Sequence, residues 1–383
     1  MSSPENTHRS IELASKLADR ERAVEGQEPI ATNQIETQLN ALVDRVMGEA
    51  GLYSPELASI AIKQSCGDIV EAAEILRAHR QSIRRNYTSE ILDTEGMEVS
   101  RRISSAFREI PGGQILGSTC DYTQRLLEDR LVRETQEEAD GIAETFENET
   151  APLDSETFPK RYSRVVDLLK SQGMVAPVNE AEDRSVVDVT KKAIQYPAQR
   201  SGALQTLARS DTGGLMAIAY SAMRGQGGDH PTIGELRVGY TEVVVKDGRK
   251  RQRSIGRIRV SESANISKIK TRKKDPVPYM SLGYGLCFGQ NETKAICMGI
   301  VDRSNRIPGD GAPAISQEFS LYHLDGPDSK GFVNSLKAPA YAEMKTELDD
   351  LRAAIKRHEA EKQRKLTLQR GKSDESQPEL DHV

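Results

Sequence analysis

Three glycine-rich segments contain the side chains best suited to chemistry. They are IPGGQILGSTCDYTQRLL at 110–127, AYSAMRGQGGDHPTIGELRVGY at 219–240 and LGYGLCFGQNETKAICMGIVDR at 282–303. Glycine lets a backbone approach a ligand closely, because it has no Cβ atom. None of the three segments has the spacing of a Walker A loop or of a dinucleotide-binding fingerprint. A phosphate site built from them would therefore be of another kind.

The segment at 219–240 combines cations, an imidazole and a carboxylate. Arg224, His230, Glu235 and Arg237 surround its glycines. Cationic side chains bind phosphate oxygens, and a histidine can transfer a proton near neutral pH, so this set suits chemistry on phosphate esters. The spacing also fits a purely structural arrangement, in which Arg224 and Glu235 form an ion pair and His230 stacks beside Pro231.

The segment at 282–303 predicts a turn from a strand into a helix. Gly283, Gly285 and Gly289 precede a predicted helix that Asn291 would cap and that carries Lys294 in its first turn. The backbone N–H groups at such a helix start can face a phosphate. A tight strand-to-helix turn explains the same glycines without any ligand.

Helices and strands must both position these segments, which predicts an α+β fold. Apolar spacing and helix-start residues predict helices at 35–47, 54–67 and 69–78, and these would form an N-terminal helical layer. Strand-like runs on either side of 246–250 predict a β-hairpin in a mixed core with glycine-rich turns. A highly charged run with spaced leucines predicts a long C-terminal helix at 338–370.

The predicted organisation has six parts. They are a variable N-terminus at 1–30, a helical part at 31–132, an acidic insertion and linker at 133–192, a mixed α/β core at 193–337 with a basic hairpin at 241–275, a C-terminal helix at 338–370 and a disordered tail at 371–383. The basic hairpin could meet an acidic partner surface, RNA or a nucleotide. It could equally be a solvated edge that resists strand aggregation.

Composition limits the classes of function. The 383 residues carry a formal net charge of -5, and aromatic residues make up 4%. A surface built to hold nucleic acid needs cations and stacking aromatics, so nucleic acid is not an expected partner. The four cysteines have no C-x-x-C spacing, and this chain alone therefore encodes no zinc ribbon or iron-sulfur cluster. Charges through the N-terminal segment and the lack of a long apolar run predict a cytoplasmic protein without a membrane segment.

Most of the chain resembles the PhnI family, the I subunits of carbon-phosphorus lyase. The residues that carry the resemblance are QLNALVDRVMGEAG at 38–51, KQSCGDIVEAAEILRAHR at 63–80, RRISSAFREIPGGQILGSTCDYTQRLL at 101–127, the segments at 219–240 and 282–303, and GFVNSLKAPAY at 331–341. The resemblance runs from residue 30 to residue 355. It fails at the extreme N-terminus, in the acidic insertion, in the basic hairpin and in the tail.

The resemblance implies a subunit that assembles with the G, H and J subunits, helped by the L subunit. Such a complex displaces adenine from MgATP by an alkylphosphonate, giving a ribose 1-phosphonate 5-triphosphate, and the isolated subunit would act as a purine nucleosidase. Displacement at an anomeric carbon needs an anion beside an oxocarbenium-like state and a proton or hydrogen bond for the leaving base. We predict Glu235 as that carboxylate and His230 as the acid or donor. Phosphate contacts are predicted for Arg224, Arg237 and Lys294.

The histidines that bind zinc in the family are absent from this chain. In the family, the segment that matches 331–341 carries two zinc-binding histidines near the J subunit, and Ser335 and Ala340 stand at those positions here. Neither side chain is a usable zinc ligand. A third histidine of the family is replaced by Gln124. We therefore expect no zinc site of that kind, although His323 could contribute to a site shared with another chain.

Two classes of function follow from the resemblance. The first is an active synthase or nucleosidase subunit whose chemistry does not need that zinc, and the retained glycine-rich segments favour it. The second is a divergent paralogue that keeps the fold and the interfaces as an assembly or regulatory component, and the lost histidines favour it. An RNA-binding adaptor that uses the basic hairpin is a third reading, which the acidic net charge and the few aromatics oppose.

Overall fold

A computed structural model gives the fold. It describes residues 4–149, 159, 161–175, 186–225, 231–246, 251–268, 279–306, 313–337 and 341–374. The helices are α1 (Pro4–Arg22), α2 (Thr32–Gln38), α3 (Asn40–Ala50), α4 (Pro55–Gln64), α5 (Ile69–Ser82), α6 (Gln136–Glu149), α7 (Val165–Ser171), α8 (Arg200–Arg209), α9 (Thr212–Gly225), α10 (Glu292–Ser304), α11 (Gln317–Tyr322), α12 (Gly326–Lys337) and α13 (Tyr341–Asp374). The strands are β1 (Glu98–Ile103), β2 (Thr232–Lys246), β3 (Gln252–Lys268) and β4 (Met280–Phe288). This mixture confirms the predicted α+β class.

Helices α2 to α5 form the predicted N-terminal layer around an apolar core of their own. Its buried members include Ile35, Val43, Val46, Met47, Ala58, Ala61, Ile62, Ala72 and Leu76. The α4 start is as predicted, because Oγ of Ser54 accepts a hydrogen bond from N of Leu57 at 3.4 Å. The single helix predicted at 35–47 was wrong. The chain forms two helices there, since Leu39 departs from helical geometry with φ -114° and ψ 34°.

The four strands form one antiparallel sheet in the order β1-β2-β3-β4. β2 and β3 are the predicted hairpin, and their pairing extends from Thr232 opposite Ile266 to Lys246 opposite Gln252. The turn at 247–250 lies outside the described residues, as do residues 269–275 of the predicted basic hairpin. β1 and β4 flank this long hairpin and complete the sheet.

The two faces of the sheet have different partners, because alternate side chains of a strand point to opposite faces. On one face α10 packs so closely on β4 that only glycine fits at two positions. A Cβ atom on Gly283 would lie 1.8 Å from O of Gly299, and one on Gly285 would lie 2.1 Å from O of Ala295. The other face carries charged residues of β2 and β3 and meets α7.

A second apolar core lies beneath α10. Its buried members include Ala203, Leu207, Leu215, Ala219, Cys287, Ala295, Met298, Val301, Leu321 and Leu324. They come from α8, α9, α10 and α11 and from the end of β4, together with Leu324. This core holds α10 against the sheet and so fixes the position of its first turn.

The chain divides by its contacts into two compact units, Met1–Ser329 and Lys330–Val383. The acidic insertion contains α6, and α13 continues beyond the predicted helix end at 370 as far as Asp374. None of the helices in the described part of the chain combines the length and the apolar composition that a membrane-spanning segment needs.

Candidate functional site

A small cavity lies between α7 and the charged face of the sheet. Its volume is about 70 Å³, and its charged and polar lining consists of Arg164, Asp167, Lys170, Glu235, Arg237, Glu262 and Tyr284. Glu235 and Arg237 come together here because they are two positions apart on β2 and share one face. Two of the residues predicted for the site therefore meet at one place.

Glu235 belongs to an enclosed ion pair. Nε of Arg102 donates a hydrogen bond to Oε1 at 2.8 Å, and N of Val165 donates one to Oε2 at 3.0 Å. Arg102 also donates to the carbonyl oxygens of Pro111, Gly113 and Ser163. The pair thus ties β1, β2 and the start of α7 to the glycine-rich segment at 110–127. This geometry gives Glu235 a structural role, and the partner of its ion pair is Arg102 and not Arg224 as the structural alternative assumed.

Arg237 pairs across the strands with Glu262. The two residues are directly opposite in the β2–β3 register, and Nε of Arg237 donates to Oε2 of Glu262 at 3.1 Å. Oε1 of Glu262 accepts from Oη of Tyr284 at 2.8 Å and from Oγ1 of Thr94 at 3.0 Å. Burial raises the pKa of Glu262, but the charges of Arg237 and Arg164 and the hydrogen bonds from Tyr284 and Arg237 together outweigh that effect, so the net pKa is lowered. Burial and the Glu262 carboxylate raise the pKa of Tyr284, so its hydroxyl stays a donor at neutral pH.

Sequence reasoning missed five charged or polar members of this site, which are Arg164, Asp167, Lys170, Glu262 and Tyr284. Glu262 lies inside a predicted strand. Its carboxylate indicates a site only when the strand register is known, because the register places it opposite Arg237. Tyr284 stands between two glycines of the segment at 282–303 but carried no motif of its own. Arg164 precedes α7 in a region without any chemical signature. The register of the strands and the docking of α7, both tertiary features, bring these residues together.

Lys294 does not face an open phosphate site. Its side chain is 0% exposed, and Nζ has no hydrogen-bond partner among the described residues. A Cβ atom on Gly48 of α3 would lie 3.5 Å from Nζ, so the ammonium lies beneath α3. Burial lowers the pKa of Lys294, because the charged form loses its hydration. The prediction of a phosphate contact at Lys294 finds no support in this geometry.

The glycines before α10 serve packing. The backbone of α10 fills the space beside Gly283 and Gly285, which leaves no room there for a phosphate group. The predicted helix start itself is confirmed, since Oδ1 of Asn291 accepts a hydrogen bond from N of Lys294 at 3.1 Å. The strand-to-helix turn, the alternative to a phosphate cradle, accounts for these two glycines.

The other residues predicted for catalysis do not join the cavity lining. Arg224 is exposed near the end of α9, with its guanidinium carbon 5.9 Å from the centre of the Tyr220 ring. His230 lies outside the described residues. The four residues Arg224, His230, Glu235 and Arg237 are thus not shown as one constellation, and their catalytic roles stay predictions.

The side chains present do not fit a zinc site of the family's kind. Ser335 is exposed, and its Oγ donates to a main-chain oxygen of its own helix at 2.6 Å. His323 is exposed, and its Nδ1 lies 2.8 Å from a main-chain oxygen one turn earlier. Gln124 is exposed, and Ala340 lies outside the described residues. Within the described ranges, no three or more His, Cys, Asp or Glu side chains are grouped to hold a metal ion.

The cavity has the chemistry of a small polar binding site. Its guanidinium groups and the Tyr284 hydroxyl are hydrogen-bond donors, and its carboxylates already accept from protein donors. The structure therefore defines an α+β protein whose sheet has one face packed on a helix and one face crossed by buried ion pairs.

Comparison with known proteins assigns the chain to a family. The family described as Bacterial phosphonate metabolism protein (PhnI) matches residues 5–358. The chain is 40% identical over 350 residues to alpha-D-ribose 1-methylphosphonate 5-triphosphate synthase subunit PhnI of Escherichia coli, covering 90% of this chain and 95% of that relative. It is 39% identical over 350 residues to the subunit of the same name from Rhizobium meliloti, covering 90% and 91%. The chain belongs to the PhnI family of bacterial phosphonate metabolism proteins.

Proposed function

We propose that the chain is a subunit of carbon-phosphorus lyase and takes part in replacing the adenine of MgATP by a phosphonate. The observation that carries this proposal is the 40% identity to the Escherichia coli subunit over 90% of this chain and 95% of that relative. That relative is named as a subunit of a ribose 1-methylphosphonate 5-triphosphate synthase. A match along nearly the whole of both chains supports a shared role in phosphonate catabolism.

The proposed partners are the G, H and J subunits, with help from the L subunit. Large apolar side chains are exposed in the segment that follows β1 and in α12, and they include Leu126, Leu127, Val132, Phe332 and Leu336. Exposed apolar residues that cluster along a segment are typical of contact surfaces, because water solvates them poorly. Their exposure in the single chain supports burial against other subunits. A cytoplasmic location is part of the proposal.

The nucleotide would bind outside the cavity described above. Sites for ligands of that size have volumes of roughly 300 to 1,000 Å³, whereas the cavity has about 70 Å³. The proposal therefore places ATP on a surface that partner subunits complete. Mg²⁺ would enter bound to the triphosphate, whose oxygens it prefers. The proposal also includes purine nucleosidase activity of the isolated chain.

Release of adenine from MgATP tests the proposal. The purified chain is incubated with MgATP, alone and with the partner subunits and methylphosphonate, and the products are separated by chromatography. Release by the chain alone would establish nucleosidase chemistry. Release only in the complete mixture would support the synthase role without the nucleosidase activity. No release in any mixture, from a chain that still binds its partners, would contradict both.

The second candidate is a divergent paralogue that acts in assembly or regulation. The observation that favours it is the pair Ser335 and Ala340, which stand where the family has zinc-binding histidines. Metal analysis of the complex discriminates the two, together with the double substitution Ser335→His and Ala340→His. Zinc bound by the double variant but not by the natural chain, with adenine release gained, would favour the paralogue. One zinc per natural chain would contradict the expected loss of the site.

A further inference from the structure

We propose that the cavity between α7 and the sheet binds a small tetrahedral oxyanion, either inorganic phosphate or the head group of an alkylphosphonate. This inference does not rest on the proposed synthase function. It follows from the hydrogen-bonding groups that line the cavity, from their burial and from the volume that they enclose.

The buried carboxylates of the lining already have their hydrogen bonds. Glu262 accepts from four donor atoms of its neighbours, which are Nε and Nη2 of Arg237, Oη of Tyr284 and Oγ1 of Thr94. Four donors fill the lone-pair positions of a carboxylate. Both oxygens of Glu235 also have a donor, from Arg102 and from N of Val165. The two buried carboxylates of the cavity therefore have their acceptor positions filled, and the third, Asp167, is half exposed and pairs with Lys170 at 3.5 Å.

The donor left over belongs to a buried arginine. Arg237 is 2% exposed, and its Nη1 has no hydrogen-bond partner within the described part of the chain. A buried N–H group without an acceptor is unfavourable by the loss of its hydration. Nε of Arg164 is also without a hydrogen bond there, although Oε1 of Glu95 lies 4.0 Å away. An oxyanion supplies the acceptor oxygens that these groups lack.

The volume of the cavity and the charges of its lining restrict the choice of ligand further. The cavity of about 70 Å³ could hold roughly five waters at ~12 to 15 Å³ each, which is room for one small polyatomic ion but not for a nucleotide. Arg164, Arg237 and Lys170 supply three cations to the lining, and Asp167, Glu235 and Glu262 supply three carboxylates. Because Arg102 pairs with Glu235 from outside the lining, the cluster with Arg102 has one cation more than it has carboxylates. Guanidinium groups match the oxygens of phosphate and phosphonate in geometry. Lys170, whose side chain is 52% exposed, pairs with Asp167 at 3.5 Å on the solvent-exposed side of the lining.

Titration calorimetry of the full-length chain in phosphate-free buffer tests the proposal, with inorganic phosphate and methylphosphonate as separate titrants. Arg237→Lys keeps a cation beside Glu262 but loses the unpartnered Nη1 donors. Ala264→Val fills the cavity from β3 without changing any charge, and valine suits a strand. Arg257→Gln is the matched control, because it removes an exposed cation from β3, the strand that carries Ala264. Circular dichroism shows whether each variant is folded.

We expect saturable binding of one anion per chain, weakened at least tenfold by Arg237→Lys and by Ala264→Val and changed less than twofold by Arg257→Gln. Binding of phosphate alone would assign the cavity to phosphate, and displacement of phosphate by methylphosphonate would assign it to the phosphonate head group. No saturable binding of either anion to the folded natural chain would overturn the proposal, as would unchanged binding by Ala264→Val. If Arg237→Lys does not fold, Ala264→Val decides alone.

Discussion

Arg102 on β1 and Glu235 on β2 form an ion pair that protein atoms enclose, with Nε and Oε1 2.8 Å apart and side chains 0% and 4% exposed. A buried charge that loses its partner keeps the full penalty of its lost hydration. Removal of one partner is therefore costly, and the pair lies at a position where sequence reasoning expected chemistry.

Loss of one partner of this pair should destabilise the fold. We expect Arg102→Met to lower the free energy of unfolding by about 3 to 5 kcal/mol, measured by urea denaturation. Replacing both residues, Arg102→Met with Glu235→Met, should be less harmful than the sum of the two single changes. Arg257→Gln, which breaks the exposed pair with Glu98, should change stability by less than about 1 kcal/mol. A stable Glu235→Gln variant that has lost only adenine release would instead make Glu235 catalytic.

The two glycines under α10 should not tolerate a methyl group. Gly283→Ala and Gly285→Ala would each place Cβ against a backbone oxygen of α10, so we expect a loss of more than about 3 kcal/mol or a failure to fold. Gly141 of α6 is the matched control, because within the described part of the chain no atom outside its own helix backbone and chain neighbours lies within 4 Å of its Cβ position. Gly141→Ala should stabilise the protein slightly, by up to about 1 kcal/mol. Thermal unfolding distinguishes the two classes, and a fully stable Gly283→Ala would refute the packing role.

Lys294 should be dispensable for stability near neutral pH. Lys294→Met removes a buried ammonium without a hydrogen bond, so we expect the free energy of unfolding at pH 7 to stay equal or to rise. The folded-state pKa of Lys294 is lowered below its model-compound value of 10.5, so the unfolded chain binds more protons between those two values. Across that window the natural chain should gain stability relative to the variant as pH rises. A large loss of stability in the variant at pH 7 would show that Nζ has a bonded partner.

Tyr284 should support the ionised form of Glu262. Tyr284→Phe removes one donor, so we expect a loss of about 1 to 3 kcal/mol at pH 7. Because the pKa of Glu262 is lowered in the folded state, its contribution is present above its ordinary value of 4.5 and is lost as pH falls through the folded pKa. The difference between the variant and the natural chain should therefore shrink at acid pH. An equal difference at pH 3 and pH 7, measured by denaturant unfolding, would contradict this linkage.

The sequence by itself determined the local elements and the family. Periodic apolar residues predicted the N-terminal helices, the cap at Ser54 predicted the α4 start, and alternating strand runs predicted the β2–β3 hairpin. Segments such as 282–303 were enough to recognise the family that the comparison confirmed. These features depend on residues near one another in the chain, which is why a single sequence can predict them.

Only the tertiary structure decided which charged residues meet. Glu235 pairs with Arg102 of another strand, and Arg237 pairs with Glu262 through the hairpin register. Neither partner could be predicted from the spacing of residues in the sequence. The sequence predicted Lys294 as a phosphate contact, but in the structure its side chain is buried beneath α3. Charge interactions act through space and depend strongly on burial, so they follow the packing of distant segments rather than their order in the chain.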